Sequence, residues 1–171
     1  FMMTYNKPYY GGLVEGYGFF KSQDMYAFLG HVDMLNELDP KLLFIAEEAR
    51  KRFNVDVRPI DKKQFRKDVD NFLNIYNAAL PGQWGFTPMS TGELKATAGG
   101  LKQLIVTEMT TIAEVEGRPV GVVFGLLDYN PIIKKINGRL FPFGFLRMLF
   151  GRKKIKKIRL ISTNVIPEYQ R

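Results

Sequence analysis

One segment limits what this 171-residue chain can fold into more than any other. Residues 120–127 read Val-Gly-Val-Val-Phe-Gly-Leu-Leu, an almost unbroken apolar run. Such a run is typical of a strand that is covered on both faces of its sheet. The pair Glu116-Gly117 stands before it and predicts a hairpin between residues 111–116 and 118–128. The rest of the chain must therefore supply the layers that cover this sheet.

The segments on either side of the hairpin supply further strands and the covering helices. Residues 55–60 alternate in polarity and predict a strand, and the β-rich run of residues 158–166 predicts another. Between the first strand and the hairpin, one helix is predicted to begin at a capping box opened by Asp61, and a second at a capping box opened by Ser90. We therefore predict an α/β fold with a mixed, largely antiparallel sheet flanked by helices.

The first 54 residues carry less regular patterns. Residues 1–5 predict a strand, and apolar residues at helical spacing over residues 9–17 predict a helix that ends at Gly18. Residues 19–29 predict a strand or a hairpin. The pair Asp39-Pro40 predicts the start of another helix, with aspartate as the N-cap and proline in the first turn.

Neither end of the chain reads as a natural terminus. Phe1 precedes the first methionine, and Arg171 follows a strand-like run with no turn or tail after it. We therefore expect the chain to be a fragment of a longer protein.

The composition argues against several kinds of site. The chain has no cysteine, which excludes disulfides, thiolate nucleophiles and cysteine-based metal sites. Its one histidine, His31, argues against a histidine-rich metal centre or a Ser-His-Asp triad, and no metal site is predicted. No apolar run reaches the roughly 20 residues that span a bilayer. The 25 basic residues outnumber the 17 acidic ones and give a net charge of +8, which favours an anionic partner.

The positive charge is concentrated in residues 134–159, which we call the basic-aromatic segment. Ten basic residues and no acidic one occur between Tyr129 and Pro167, and four phenylalanines are interleaved with them. Three interpretations remain open: a segment that docks on an anionic membrane, a dock for an acyl-carrier protein or for the phosphates of CoA, and a core-packed insertion with a solvated basic turn at residues 151–157. No nucleic-acid-binding motif accompanies the charge, so nucleic acid is not expected as a partner.

From residue 54 onward the order of elements is strand, two helices, two strands, a long connection and a last strand ending in Val-Ile-Pro-Glu-Tyr-Gln-Arg. This order resembles the N-terminal half of the GNAT superfamily, the acyl-CoA-dependent N-acyltransferases. The first thirty residues, with Asn6, a helix and Gly18-Phe19 between two strands, resemble the closing half of such a unit.

Further motifs resemble an uncharacterised group of bacterial tandem-GNAT proteins. They are residues 2–10, 75–77, 84–89 and 138–144. The resemblance implies three parts of the chain: residues 1–30 as the C-terminal part of a first GNAT-like unit, residues 31–54 as a connector with a helix, and residues 55–171 as the N-terminal half of a second unit.

The resemblance implies an N-acyltransferase that moves an acyl group from acetyl-CoA or another acyl-CoA to an amine, with this fragment inactive alone. A base removes the amine proton, backbone donors polarise the thioester carbonyl, and an acid protonates the leaving thiolate. By resemblance, Val165 and Ile166 hydrogen-bond the pantetheine chain where the last strand splays from its neighbour. Gln170 and Arg171 open the pyrophosphate-binding loop, whose glycines are absent from this chain.

Three side chains are candidates for the acceptor site. Asp128, at the end of the second hairpin strand, is a candidate base or amine-binding carboxylate, and the alternative is a turn aspartate. Trp84 and Phe86 are candidates for an acceptor pocket, and the alternative for Trp84 is a plug of the core.

One departure from the family pattern keeps a non-catalytic function open. The general-acid tyrosine of the family falls on Val14 in this sequence. The alternative is therefore a GNAT-like binding or structural module, associated with a membrane or an acyl carrier through the basic-aromatic segment. A cytoplasmic location is expected, and a homo-oligomer is left open.

Overall fold

Four antiparallel strands form the sheet of the computed structural model, which describes residues 6–102 and 104–170. The strands are β1 (Val55–Pro59), β2 (Ile105–Val115), β3 (Arg118–Leu127) and β4 (Ile158–Val165), and they pair in the order β1-β2-β3-β4. The predicted mixed α/β class and its largely antiparallel sheet are confirmed. Two helices lie between β1 and β2 in the chain, which is the GNAT-like order given by the resemblance.

The hairpin that joins β2 to β3 has the turn that its sequence predicts. Glu116 has a φ of +51° and Gly117 a φ of +77°, so both turn residues are left-handed. Two left-handed residues make the type I′ turn, whose twist matches that of the flanking strands. The turn places Val115 opposite Arg118 and thereby sets the register of the two longest strands.

Helices precede, interrupt and flank the strands. The α-helices of the described part are α1 (Tyr9–Gly16), α2 (Pro40–Arg52), α3 (Phe65–Ala79), α4 (Thr91–Leu101), α5 (Asn130–Lys135) and α6 (Gly144–Gly151). Short 3-10 helices cover Val32–Glu37, Arg152–Lys154 and Pro167–Tyr169.

Two predicted helix starts are confirmed by side-chain caps. Ser90 Oγ accepts the N–H of Glu93 at 3.3 Å, and the Glu93 carboxylate accepts the N–H of Ser90 at 2.8 Å, which completes a capping box before α4. Asp39 Oδ1 accepts the N–H of Lys41 at 2.8 Å before α2.

The cap predicted at Asp61 is wrong. α3 begins later, at Phe65, and the residue before it makes no side-chain cap. Asp61 Oδ1 instead accepts the N–H of Lys63 at 2.8 Å and closes a turn. The N–H of Asp61 donates to the carboxylate of Asp68 at 2.9 Å, so a residue inside the helix holds this turn.

A buried ion cluster fixes α3 on the sheet. Arg58 of β1 binds Asp68 of α3 through both terminal nitrogens, at 2.8 and 3.1 Å, and its Nε donates to Glu114 of β2 at 3.0 Å. The Asp68 side chain is 2% exposed. Burial on its own raises the pKa of Asp68, but the hydrogen bonds from Arg58 and from the N–H of Asp61 outweigh it and hold that pKa below its usual value.

An aromatic row continues from this cluster along α3. The Phe72 ring meets Phe124 of β3 edge-on at 5.8 Å between ring centroids and stacks on Tyr76 at 5.8 Å. Tyr76 in turn contacts Phe86 at 5.8 Å. α3 also contacts β4. The helix therefore crosses the sheet from β1 toward β4, and its carboxyl end points to the β4 side.

The sheet face beneath α3 is well covered. Ile112 and Leu126 are fully buried, and Val122, the direct partner of Ile112, is 4% exposed. Each fully buried aliphatic side chain of this size stabilises the fold by about 1.5–3 kcal/mol. This face carries the main core of the described sheet.

The opposite face, which we call the open face, is covered less. Directly paired residues share a face, so Val57, Ala113, Gly121 and Val165 form one row across all four strands on this side. Val57 is 49% exposed and Val165 39% exposed. The expected cover on both faces of residues 120–127 is nearly complete, because Gly121, Gly125 and Leu127 on the open face are buried. The exception is Val123 on that face, which is 36% exposed.

The chain divides into two units, Phe1–Phe44 and Ile45–Arg171, and the division falls inside the predicted connector. In the first unit α1 confirms the predicted helix, and Gly18 follows it with a φ of +101°. The strand or hairpin predicted for residues 19–29 is wrong, because this segment has no strand. The strand predicted for residues 1–5 lies outside the described residues.

Replacing Asp68 by asparagine is expected to lower the free energy of unfolding by about 2 kcal/mol. A fully buried pair costs about 3–5 kcal/mol to break, but Glu114 still compensates Arg58 in this variant. Because the folded-state pKa of Asp68 is depressed, its contribution is present above the unfolded pKa of about 4 and is lost as the pH falls through the folded value. Urea unfolding at neutral and acidic pH measures both effects.

The exposed pair between Arg118 and Glu168 provides the matched control. Its side chains are 60% and 62% exposed, so Glu168→Gln is expected to cost less than about 1 kcal/mol. Two results would contradict the assigned role of the cluster. One is an equal loss of unfolding free energy in the two variants, and the other is an Asp68→Asn variant that still loses as much stability at acidic pH as the unchanged protein.

Candidate functional site

β4 ends at Val165, the first of the predicted cofactor residues, and Ile166 and Gln170 follow it in the chain. β4 is an edge strand of the described sheet, where it pairs with β3 alone. The N–H of Ile166 donates to the carbonyl of Val120 at 2.9 Å, so the backbone N–H of Ile166 points toward β3. Ile166 is also buried. Outward and inward backbone groups alternate in an antiparallel pair. The backbone N–H and C=O groups of Val165 and Thr163 therefore point away from β3, toward the outer edge of the sheet.

The side chain of Gln170 confirms the outward direction of Val165. Gln170 Nε2 donates to the carbonyl oxygen of Val165 at 2.6 Å. The structure thus brings these two predicted cofactor residues together, while Ile166 lies on the inner side of the same strand end. Arg171, the fourth predicted cofactor residue, lies outside the described residues.

A bulge changes the course of β4 in its middle. Phe124 pairs with Ser162 and the next residue, Gly125, pairs with Leu160, so Ile161 is one extra residue in β4. A bulge bends its strand and increases the local twist, and bulges are frequent at sheet edges next to binding sites. The outward groups of Thr163 and Val165 therefore lie just beyond a point where the edge changes direction.

After β4 the chain turns back across the end of the sheet. Glu168 pairs with Arg118 at 3.1 Å, and the Tyr169 ring lies 5.3 Å from that of Phe53, which precedes β1. A cleft of about 630 Å³ opens at this end. Three carboxylates and two cations line it, which argues against a phosphate site; the lining residues are Arg50, Lys51, Asn54, Val55, Asp56, Glu114, Glu116 and Gly117.

Asp128 lies at the other end of the sheet from Val165. Its Oδ1 accepts the N–H of Asn130 at 3.0 Å, a local turn before α5, and its own N–H donates to the carbonyl of Lys157 at 2.9 Å. Gly121 is the strand partner of Val165, and seven residues separate it from Asp128, roughly 23 Å along an extended strand. The structure therefore does not bring the candidate base and the candidate cofactor residues together.

Trp84 and Phe86 lie in the loop between α3 and α4 and have different surroundings. Phe86 is half-buried at the end of the aromatic row, where it contacts Tyr76. Trp84 is 57% exposed, which argues against the plug interpretation for that side chain. Because α3 leads toward β4, this loop lies toward the β4 edge, on the α3 face and thus on the face opposite to the Val165 side chain.

Two residues that shape the geometry of this candidate site were not predicted from the sequence. Thr163 shares the outward direction of Val165, and its position two residues earlier in a strand of period two was a usable signal. Asp68 positions α3 through its bonds to Arg58. Its place inside the apolar stripe of this helix was a usable sign in the sequence that it is buried and paired. Within residues 6–102 and 104–170, no three His, Cys, Asp or Glu side chains cluster as a metal site requires. No helix in that same part is both long and apolar enough to cross a bilayer.

Two curated proteins are similar to this chain over nearly all of its length. Protein YghO of Escherichia coli (strain K12) is 30% identical over 172 residues, which takes in 99% of this chain and 43% of YghO. The Bacterial ceramide synthase of Caulobacter vibrioides (strain NA1000 / CB15N) is 31% identical over 161 residues, 92% of this chain and 40% of that protein. The chain is homologous to both and spans about two fifths of their lengths. No family model matches the sequence.

Two solved structures overlap with 68% of this chain at 13% sequence identity and a TM-score of 0.39. One is the loading GNATL domain of CurA from Lyngbya majuscula, of which 50% is covered, and the other is a mutant of agmatine N-acetyltransferase in its apo form, of which 62% is covered. Both likenesses are too distant to argue from.

Proposed function

We propose that this chain is part of a GNAT-like N-acyltransferase that moves an acyl group from acyl-CoA to an amine. The observation that carries the proposal is the homology to bacterial ceramide synthase over 92% of the chain. The GNAT-like order of strands and helices is consistent with it.

The outer edge of β4 fits the donor. The pantetheine arm of CoA is an extended chain with two amides, and an extended chain pairs with the free edge of a strand through backbone hydrogen bonds. Val165 and Thr163 present such groups, and the Gln170 amide that now binds the Val165 carbonyl must move aside for a donor to bind there. When bound, acyl-CoA supplies an activated thioester carbon for attack by the amine.

The acceptor that we propose is a long-chain amino alcohol. A ceramide is the fatty acyl amide of such an amine, and this chain is 31% identical to a protein of that name. The open face offers an apolar surface next to β4 on which an alkyl chain can lie. Ile158, Leu160 and Val165 of β4 are 53%, 60% and 39% exposed.

A non-catalytic GNAT-like module remains the second candidate. Val14 stands where the family has its general acid, and the distance between Asp128 and Val165 separates the proposed base from the proposed donor edge. Binding of acyl-CoA without turnover is the outcome that distinguishes this candidate from the enzyme.

Turnover by the whole protein tests the proposal directly. The protein is incubated with a long-chain acyl-CoA and either a long-chain amino alcohol or a short diamine, and free CoA thiol and amide product are both measured. We expect CoA release that requires the long-chain amine and an amide product identified by mass spectrometry. Release of CoA without amide, or no release with either amine, would refute the acyltransferase.

Replacing Val165 by proline is expected to lower acyl-CoA affinity at least about tenfold, because proline removes the outward N–H that we assign to the donor. The fold is expected to persist, since proline is tolerated where an edge-strand N–H faces away from the ladder. Calorimetric titration with acyl-CoA measures the affinity. Val165→Ala, which keeps the N–H, is the control, and equal affinities in the two variants would remove the backbone contact from the proposal.

Asp128 is the proposed base, which requires the bound donor to extend along β4 from Val165 to the end beside Ile158 and Asp128. Asp128→Asn isolates that role. Asparagine also accepts the hydrogen bond from Asn130 N–H, so the turn is expected to survive and thermal unfolding to stay unchanged. Loss of a general base lowers kcat by about 10²–10⁴-fold, which is the expected result. An unchanged kcat would leave Asp128 as a turn residue and would require a base nearer the β4 edge.

A further inference from the structure

Positive charge is segregated in this chain. The basic-aromatic segment holds ten of the 25 basic residues, which leaves 15 basic against 17 acidic residues elsewhere. Eight of its cations are exposed: Lys134, Lys135, Arg139, Arg147, Lys153, Lys154, Lys156 and Lys157. Across the described ranges, none of these eight has a carboxylate oxygen within 4 Å. Their charge is therefore not used to hold the fold together.

Apolar side chains of the same segment face solvent. Phe141, Phe143 and Phe150 are 85%, 69% and 75% exposed. Phe145 and Leu149 lie one turn apart on α6 and are 43% and 62% exposed. The Phe141 ring lies 6.5 Å from that of Phe145, so these two rings form one patch.

The third interpretation, a core-packed insertion with a solvated basic turn at residues 151–157, holds for the turn, whose lysines are exposed, but not for these apolar side chains. The inner side of α6 does pack: Gly144 is buried, and an added Cβ there would collide with the Arg139 carbonyl oxygen. A Cβ added at Gly151 would likewise lie 2.7 Å from Cδ1 of Ile132. α6 is thus anchored by its glycines while its phenylalanines point away from the core.

We propose that the basic-aromatic segment docks on an anionic membrane surface, with the phenylalanines in the headgroup boundary and the lysines and arginines against acidic lipid headgroups. A bilayer interface accommodates apolar rings and neutralises cations at once, without a shape-matched pocket. An acidic carrier protein would also neutralise the cations, but it would need a shape-matched pocket for phenylalanine rings that are spread over residues 141–150. The proposal stands independently of the acyltransferase, since it concerns binding and not turnover.

Vesicle flotation of the full chain tests the proposal. The chain is mixed with vesicles of phosphatidylcholine alone or of phosphatidylcholine with phosphatidylglycerol, at low and at high salt. We expect flotation with the anionic vesicles, weakened by salt because the contribution of the cations is screened. Flotation is expected to be absent or much weaker with phosphatidylcholine alone.

Lysine variants test the position of the surface. Replacing Lys153, Lys154 and Lys156 by glutamine is expected to lower the partition coefficient about a hundredfold, because each lysine near an anionic surface contributes about fivefold. The matched control removes three exposed lysines near α3, by Lys62→Gln, Lys63→Gln and Lys67→Gln, with the same change in net charge. The control is expected to lower partitioning by less than about threefold.

Aromatic variants test insertion. Replacing Phe141, Phe143 and Phe150 by serine is expected to lower partitioning by at least about tenfold, because apolar area no longer leaves water. The matched control in the first unit replaces Tyr17, Phe20 and Phe28, which are 85%, 93% and 94% exposed, by serine. Thermal unfolding checks each variant, and the lysine set decides the question if the aromatic set misfolds.

Three results would overturn the proposal. They are no flotation with anionic vesicles at low salt, equal losses in the lysine variants and their control, and binding to an acidic acyl-carrier protein in place of vesicles. Failure of turnover with intact flotation would refute the acyltransferase alone.

Discussion

The buried carboxylate of Asp68 is the constraint from which the rest of this sheet follows. A carboxylate without water is tolerated only when it is paired and hydrogen-bonded, and Asp68 receives two bonds from Arg58 and one from the Asp61 backbone. Arg58 also binds Glu114, so the cluster joins α3 to β1 and β2 together. With this end of α3 fixed, Phe72 packs against Phe124. The loop that carries Trp84 and Phe86 then lies toward the β4 edge of the sheet.

Local signals in the sequence predicted local structure well. The Ser90 capping box, the Asp39 cap and the Glu116-Gly117 turn each depend on atoms within a few residues, and each is present as predicted. Asp61 does not cap α3 because the helix begins four residues later, at Phe65, and Asp61 Oδ1 closes the turn at Lys63. Its N–H donates to Asp68, a contact seven residues away that local sequence does not predict. Residues 19–29 failed as a strand because a strand needs a partner, and the described residues of the first unit form no strand that could pair with it.

The site was predicted as a set of residues but not as a geometry. The resemblance supplied Val165, Ile166 and Gln170, and the structure places them at one end of β4. Asp128 came from its position at the end of β3, and antiparallel pairing puts that end at the start of β4, beside Ile158. Asp128 and Val165 are therefore far apart because β3 and β4 run in opposite directions, and the motifs alone do not specify strand direction. The outward direction of Val165 likewise depends on the phase of the ladder, which the bond between Ile166 and Val120 sets.

The basic-aromatic segment and the proposed donor edge are continuous in the chain. The segment runs into β4, which begins at Ile158, and Thr163 lies only a few residues further along the same strand. Docking of the segment would therefore hold β4, with its exposed apolar side chains on the open face, close to the lipid surface. A long-chain amino alcohol has its alkyl chain in the bilayer and its amine at the interface. An enzyme that acylates such an amine gains by meeting it there, because the acceptor need not leave the membrane before it reacts.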